Sequence, residues 1–349
     1  MNHIARRASL VLLGCMTALP VSAAEPAETV DWTPPRLQNG HPDLGGVWDF
    51  RTLTPFERPE DLGERALLTE EEAADIERES ATATAKADAP SKPAEARERP
   101  EVGASVGGYN RFWLDSGARV SSDLRSSLIV DPVDGRLPAL QPGIEVQRGR
   151  DEAPVEGLVR VRVGGAGTDN PEDRGLSERC LLGFNVGPPI VPAGYNQNIS
   201  IVQTDDHVVM LNEMNHDARI IRLESEHLPP EITTWMGDSI ATWDDDTLVI
   251  ETTNFTHKRG SLPSNVFTSV GTGEALHIVE RMELVDDDTL RYEFTVTDPK
   301  TYTAPITAVL LMKRSSDTSL YEYACHEGNY AMGNMLRGAR LLEKQAASP

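Results

Sequence analysis

The sequence predicts a mainly β protein: an antiparallel barrel of lipocalin-like type, or a sandwich, with a C-terminal helix and an irregular N-terminal arm. Three observations predict it. Apolar and polar residues alternate in several segments between residues 198 and 325, aspartate-rich turns separate these segments, and no helical pattern lies between them. Hairpins that follow one another without helices are typical of antiparallel sheets.

The first 23 residues have the pattern of a secretory signal peptide. Arg6 and Arg7 precede an apolar run that continues weakly to Val21, and small residues follow. The run is too short for a permanent membrane span. Acylation of Cys15, as in a lipoprotein, is the second interpretation, although it would leave a very short apolar segment. We therefore expect a periplasmic or secreted protein.

The net charge limits the possible partners of the protein, and the cysteine content predicts a disulfide. The formal net charge is −22, and loss of Arg6 and Arg7 with the signal would make it more negative by two. Such a field repels phosphate backbones, so we expect no nucleic-acid partner. Cys180 and Cys325 remain after export, and in an oxidising compartment they predict a disulfide. The oligomeric state is not predicted.

Residues 24–108 form the predicted arm, and residues 109–344 form the β domain. An apolar stretch at residues 44–50 predicts a strand that docks on that domain. Thr69 followed by Glu72 is a capping box, which predicts a helix from Glu70 to Glu79. Residues 80–104 have almost no large apolar side chains, and this predicts a mobile linker.

The β domain shows three hairpins. Residues 199–204 and 207–213 flank one aspartate turn, and a second such turn precedes residues 247–250. The longest alternation runs over residues 276–285 and 290–296. Strands are also predicted at residues 127–130 and 321–326, and a closing helix from Gly333 to Lys344.

Glu280 falls on the apolar face of its predicted strand, with Leu276, Ile278, Met282 and Leu284. A carboxylate on that face needs a partner or a proton. Two interpretations stay open. Glu280 is either half of a core ion pair with an arginine, or a general acid or base lining a barrel interior.

The densest polar cluster is Glu213-Met214-Asn215-His216-Asp217-Ala218-Arg219, between apolar segments. His216 beside Glu213 could move protons, and Arg219 could stabilise a developing oxyanion. A polar bend in a hairpin is the alternative. His326 follows Cys325 at the end of a predicted strand, where site residues are common.

These clusters give the predicted site. His216 and His326 are the expected proton-transfer groups, with Glu213 or Glu280 assisting and Arg219 holding an anion. The residues expected to contact the substrate are Tyr195, Asn196, Arg281, Asn329 and Tyr330. We expect no cofactor; if a metal binds, His216, His326 and Glu213 are its predicted ligands.

Other motifs do not add residues to the predicted site. Met236-Gly237-Asp238-Ser239 is similar to the nucleophile block of GDS-type serine hydrolases, but its mid-chain position favours a turn that enters a strand. Residues 164–167 are glycine-rich without the lysine of a phosphate loop. The remaining histidines of the mature chain are predicted to be isolated surface or loop residues: His41, His207, His227, His257 and His277.

Several motifs together resemble an uncharacterised family of exported bacterial proteins. They are Glu213-Met214-x-His216-x-x-Arg219, Trp235-x-Gly237-Asp238-Ser239 and Cys325-His326-Glu327-Gly328-Asn329-Tyr330. The resemblance extends from about residue 40 to residue 342. It implies export and supports the choice of clusters, but it implies no reaction.

The sequence therefore predicts a periplasmic enzyme that uses acid–base chemistry, of lyase, isomerase or hydrolase type, on a small organic or sugar-derived substrate. Two alternatives stay open. One is a non-catalytic barrel that holds an apolar or aromatic ligand, and the other is a metal-dependent oxygenase or hydrolase.

Overall fold

The computed structural model describes residues 32–88, 114–148, 170–263, 265, 268–316 and 319–347. The chain divides into two units, Met1–Thr33 and Pro34–Pro349. Only Trp32 and Thr33 of the first unit are described, and all the described helices and strands belong to the second. The predicted signal peptide and residues 89–104 of the predicted linker lie outside the described residues.

The described strands are short near the N-terminus and long near the C-terminus. They are β1 Gly46–Asp49, β2 Ile129–Asp131, β3 Val146–Arg148, β4 Asn198–Gln203, β5 His207–Asn212, β6 Ala218–Leu223, β7 Asp238–Asp244, β8 Thr247–Thr253, β9 Thr268–Val270, β10 His277–Asp286, β11 Thr289–Thr297 and β12 Ile306–Arg314. The two α-helices of these residues are α1 Glu70–Asp88 and α2 Ala331–Ala346.

Nine strands close into a barrel in the order β1, β4, β5, β6, β7, β8, β10, β11 and β12. Closure occurs because β1 pairs with β4 on one side and with the last two residues of β12 on the other. β2 pairs with the first part of β12 as an extra strand. The prediction of a β-barrel with a C-terminal helix is confirmed, and β1 comes from the segment predicted as the arm.

The barrel is mixed because β6 and β7 are parallel, whereas every other pairing in the sheet is antiparallel. Parallel neighbours need a connection that returns the chain to the end from which it started. Residues 224–237 make this crossover. The sequence predicted only antiparallel pairs, because alternation specifies a strand and not its direction.

The two ends of the barrel differ. At one end, called the turn end, tight aspartate turns join β4 to β5, β7 to β8 and β10 to β11. At the other end, called the looped end, longer segments enter β4 and join β5 to β6, β8 to β10 and β11 to β12. Loops carried on a rigid sheet are common places for binding and catalysis.

Side chains fill the barrel interior. The largest fully buried ones include Trp48, Tyr292 and Phe294, and Ile199, Ile201 and Met210 also belong to this core. Residues 187–193 cover the looped end. Arg259 holds this segment through the Pro188 carbonyl at 2.5 Å, and the Ile190 amide donates to the Tyr292 hydroxyl at 2.9 Å.

Helix α1 begins as predicted but is longer. The capping box forms in both directions, with the Thr69 amide donating to Glu72 at 2.8 Å and the Glu72 amide to the Thr69 hydroxyl at 3.2 Å. The prediction of a linker from residue 80 was wrong for residues 80–88, which are helical. Alanine-rich sequence has high intrinsic helix propensity, so this stretch is helical although it buries almost no side chain.

A second, smaller core forms what we call the disulfide lobe, residues 171–186 with 321–330. Cys180 and Cys325 are bridged, as predicted. The predicted strand at residues 321–326 was wrong: this stretch is irregular and ends in a turn. The disulfide, rather than a neighbouring strand, anchors it. Helix α2 follows, and neither described helix is long and apolar enough to cross a membrane.

Candidate functional site

Arg219 and Glu280 meet inside the barrel. Arg219 on β6 donates to Glu280 on β10 through both terminal nitrogens, at 2.7 and 3.0 Å. The Tyr292 hydroxyl donates to the same carboxylate at 2.6 Å. Glu280 and Tyr292 are completely buried, and Arg219 is 5% exposed. We call these three residues the interior cluster.

The interior cluster is fully partnered. Burial alone would lower the pKa of Arg219, but the adjacent Glu280 outweighs it and raises that pKa. Burial also raises the pKa of Tyr292 well above its usual value, and Glu280 adds to the effect. Both groups therefore keep their protons. Of the two interpretations of Glu280, the contacts favour the core ion pair.

Glu213, His216 and Asp217 lie in the connection between β5 and β6 at the looped end. Asn215 and His216 have positive φ angles of 58° and 48°, so this turn holds two consecutive non-glycine residues in a rare conformation. Glu213 is buried, and its carboxylate accepts from the side-chain amide of Asn198 at 2.6 Å. The His216 imidazole is exposed and has no hydrogen-bond partner among the described residues.

Asp217 is the titratable group of this turn whose environment is most altered. Burial raises its pKa to about 6, although the Gly183 amide, which donates to it at 2.8 Å, and nearby His216 act in the opposite direction. Asp217 is not among the predicted site residues, because no local sequence pattern reveals that the disulfide lobe covers it.

His326 lies on the exposed side of the disulfide lobe. It lines a cleft of about 350 Å³ with Glu178, Arg179 and Asn329. Asn329 donates to the Glu178 carbonyl at 3.3 Å, whereas Tyr330 is largely exposed. In the described part of the chain, no three His, Cys, Asp or Glu side chains are placed to hold a metal ion, so His216, His326 and Glu213 do not form a ligand set there.

The other residues expected to contact a substrate are dispersed. Tyr195 belongs to the smaller core, edge-on to Phe184 at 5.2 Å between ring centroids. The Asn196 carbonyl accepts from Asn185 at 3.1 Å. Arg281 lies on the outer face of β10 and donates to Asp244 at 2.8 Å. The structure does not gather these residues around one cavity.

A polar cluster that the sequence analysis missed lies on the outer face of the barrel. Its centre is Asp238, the first residue of β7, which is buried. Its carboxylate accepts from Arg222 at 2.7 and 3.1 Å, from the Leu228 amide at 3.0 Å and from His227 Nδ1 at 2.9 Å. Burial alone would raise the pKa of Asp238, but these donors outweigh it and lower the pKa to about 2.

Two further residues extend the cluster across the sheet. His277 on β10 and Glu251 on β8 are hydrogen-bonded, with 2.7 Å between His277 Nε2 and Glu251 Oε1. His227 Nε2 is buried without a hydrogen-bond partner, and Glu251 Oε2 lies 3.9 Å from it. We call Arg222, His227, Asp238, Glu251 and His277 the outer cluster.

The prediction that His227 and His277 are isolated was therefore wrong. The two residues are 50 positions apart in the chain, and they meet at Glu251 because the crossover of residues 224–237 lies against the outer face of β7 and β8. The parallel β6–β7 pair creates that crossover. The one usable signal was the Trp235-x-Gly237-Asp238-Ser239 motif, which places Asp238 at the start of β7.

The motif does not supply a serine nucleophile. Gly237, at φ 72°, makes the turn into β7, and a Cβ atom there would lie 2.5 Å from the Thr253 carbonyl oxygen. Ser239 is buried, with 2.9 Å between its hydroxyl and that of Thr252. The predicted turn entering a strand is confirmed.

No protein-family model, curated protein or solved structure matches this chain. The resemblance to a family of exported proteins therefore stays a prediction, and the function has to be argued from the geometry of the described residues.

Proposed function

We propose that the protein is an exported, periplasmic enzyme that performs acid–base chemistry, of lyase, isomerase or hydrolase type, on a small organic or sugar-derived substrate. Its proton-transfer groups would be His227, Glu251 and His277. One observation carries the proposal: two imidazoles flank one accessible carboxylate, and a buried aspartate orients the first of them. Imidazole and carboxylate are the commonest acid–base groups in enzymes.

Asp238 would fix the state of His227. A carboxylate can only accept hydrogen bonds, so His227 Nδ1 must carry the proton that lies between them. Nε2 is then free to accept a proton. When it does, the adjacent carboxylate stabilises the resulting imidazolium, as the aspartate does in a catalytic Asp–His pair.

Glu251 and His277 would face the substrate. Glu251 is 48% exposed and His277 36%, whereas His227 is 23% exposed. A substrate that approaches from solvent therefore meets the Glu251 carboxylate and the His277 ring first. Glu251 can remove a proton from one atom of the substrate, and His277, when protonated, can deliver one to another atom. His227, whose Nε2 is buried, can exchange a proton only with Glu251. The proposed chemistry requires only side chains.

His216 and His326 support the proposal less well. Both rings are exposed, and among the described residues neither has a hydrogen-bond partner that would fix its orientation. A general acid or base has to be held within hydrogen-bonding distance of the atom it serves. In the outer cluster, contacts with Asp238 and Glu251 hold the rings of His227 and His277 in fixed orientations.

Two observations support export. The Cys180–Cys325 disulfide is consistent with an oxidising compartment, and the N-terminal pattern is that of a signal peptide. A protein exported to the periplasm is expected to have both a signal peptide and a disulfide.

The test is a turnover screen in D₂O followed by ¹H NMR, because the loss of a C–H signal reports proton abstraction as well as bond cleavage. The panel would contain uncharged esters, lactones, glycosides and epimerisable sugars. Glu251→Gln and His277→Gln should each lower turnover by about 100-fold or more. His207→Gln is the matched control, since His207 is another half-exposed histidine of the barrel paired with an aspartate, at 2.8 Å. Unchanged turnover in both test variants would contradict the proposal.

A further inference from the structure

A cleft of about 370 Å³ lies at the looped end. One wall is formed by residues 52–56, which follow β1, and another by residues 191–193 of the covering segment. Leu128 and Val191 lie at its base, and both belong to the main core. The cleft contains none of the residues of the outer cluster, so its role is independent of the proposed function.

The described walls of this cleft carry no charge. Among the described residues that line it, none is ionisable, although a quarter of all residues in the protein are charged. Phe56, Pro192 and Pro263 present rigid apolar surfaces. A charged ligand would lose its hydration there and find no opposite charge to replace it.

The two threonine hydroxyl groups of the walls are already engaged by the protein. Thr54 Oγ1 accepts from the Ser121 amide at 2.8 Å. Thr52 Oγ1 accepts from the Thr54 amide at 3.1 Å and lies 3.5 Å from the Arg119 carbonyl oxygen. A ligand would therefore contact mainly apolar surface and would need few hydrogen-bonding groups of its own.

We propose that this cleft binds an uncharged, mainly apolar small molecule that contains a ring system. Its volume is near the lower limit of ligand pockets, which corresponds to a molecule of roughly 15 to 20 non-hydrogen atoms. Mouths of β-barrels are common positions for such sites. Burial of the apolar surface of the ligand would supply most of the binding free energy.

The test uses two fluorescent probes with the same ring system. N-phenyl-1-naphthylamine is uncharged, and 1-anilinonaphthalene-8-sulfonate carries a sulfonate. Titrations of the full mature protein in 0.3 M NaCl reduce repulsion by the net negative charge. The uncharged probe should bind one site with a Kd of about 1–10 μM, and the sulfonated probe should bind at least about tenfold more weakly. Equal affinity for both probes, or no binding of the uncharged one, would overturn the proposal.

Variants locate the binding site. Ser116 is exposed at the rim of the cleft, so Ser116→Trp should block entry without disturbing the core, and should weaken binding of the uncharged probe by at least about tenfold. Ser116→Glu should weaken it through the added charge. Thr233→Trp, at an exposed position outside the cleft, is the control and should bind like the wild type. Unchanged affinity in both Ser116 variants would place the probe elsewhere and refute the assignment.

His277→Gln separates this inference from the proposed function. It should lower turnover by about 100-fold or more and leave probe binding unchanged, because His277 does not line the cleft. A loss of probe binding in His277→Gln would contradict the assignment of the probe to this cleft.

Discussion

Strand β6 carries two arginines, three residues apart, that face opposite sides of the barrel wall. Arg219 points inward and binds Glu280, whereas Arg222 points outward and binds Asp238. Both pairs have short nitrogen–oxygen distances, and both carboxylates are buried. The surroundings differ. The interior cluster is almost completely buried, with Arg219 5% exposed, whereas Arg222 is 27% exposed and the other members of its cluster include half-exposed Glu251 and His277.

This difference in solvent exposure indicates which cluster stabilises the fold and which one can react with a substrate. A charge pair without access to water cannot exchange protons with a substrate, and its removal leaves an uncompensated charge in the core. In the outer cluster, by contrast, Asp238 is buried and fixed by its hydrogen bonds, while Glu251 and His277 remain accessible to solvent. We therefore expect the interior cluster to stabilise the barrel, and the proposed function rests on the outer cluster.

The largest expected effect comes from the interior cluster. Arg219→Met should lower the free energy of unfolding by about 3–5 kcal/mol, because Glu280 would keep only the Tyr292 hydroxyl as a partner. The measurement is equilibrium urea unfolding at pH 7 with the disulfide intact. A loss below about 1 kcal/mol would contradict the structural role.

A double variant sharpens this test. Arg219→Met combined with Glu280→Leu removes both charges, and it should recover more than half of the stability lost in Arg219→Met. Recovery should be incomplete, since the Tyr292 hydroxyl loses its acceptor. Arg222→Met is the outer counterpart and should cost less than Arg219→Met.

The sequence predicted the parts of this comparison that depend on local pattern. Alternation over residues 276–296 placed Glu280 on the inner face, and the aspartate turns placed the hairpins. It also indicated that Glu280 needs a partner. The identity of that partner depends on the pairing of β6 with other strands, which no local pattern specifies.

The outer cluster was not predicted for the same reason. His227, Glu251 and His277 are brought together by a crossover, and an isolated histidine in a sequence has no feature that distinguishes it from a surface residue. The irregular stretch around His326 shows a false prediction instead of a missed one. Alternation predicted a strand at residues 321–326, but in the structure this stretch does not pair with any described strand.

Asp238→Asn should give the second-largest effect. Because the folded state lowers the pKa of Asp238 to about 2, its carboxylate stabilises the fold above the unfolded pKa of 3.8, and this contribution is lost as the pH falls towards 2. We expect a loss of about 1–2 kcal/mol at pH 7. It is smaller than for Arg219→Met, since Arg222 also donates to the Glu226 carbonyl at 2.9 Å.

Urea unfolding of Asp238→Asn and the wild type at pH 7, 4 and 2.5 checks the sign. The difference between the two proteins should decrease towards pH 2.5. A constant difference over this range would show that the charge of Asp238 does not contribute, and the orienting role proposed for it would lose its basis.

Asp217→Asn should have the opposite sign. The folded state raises the pKa of Asp217 to about 6, so ionisation of this half-buried carboxyl opposes folding as the pH rises from 3.8 through 6. Asparagine resembles the protonated acid and can still accept from the Gly183 amide. We expect a gain of about 1 kcal/mol at pH 8, reduced by partial solvent exposure, and no gain at pH 4. Unfolding midpoints at both pH values measure it, and a gain at pH 4 would contradict the assignment.

The smallest effect should come from Arg281, which lies on the same outer face of β10 as His277. Its partner Asp244 is 62% exposed, and Arg281 itself is 38% exposed, so water replaces the lost interaction well. Arg281→Gln should change the free energy of unfolding by less than about 0.5 kcal/mol, and the change should disappear in 1 M NaCl. Urea titrations with and without 1 M NaCl measure the change and its dependence on salt. A loss comparable to that of Asp238→Asn would mean that solvent exposure does not determine how much a charge pair stabilises this barrel. The distinction drawn between the buried interior cluster and the exposed outer pairs would then be wrong.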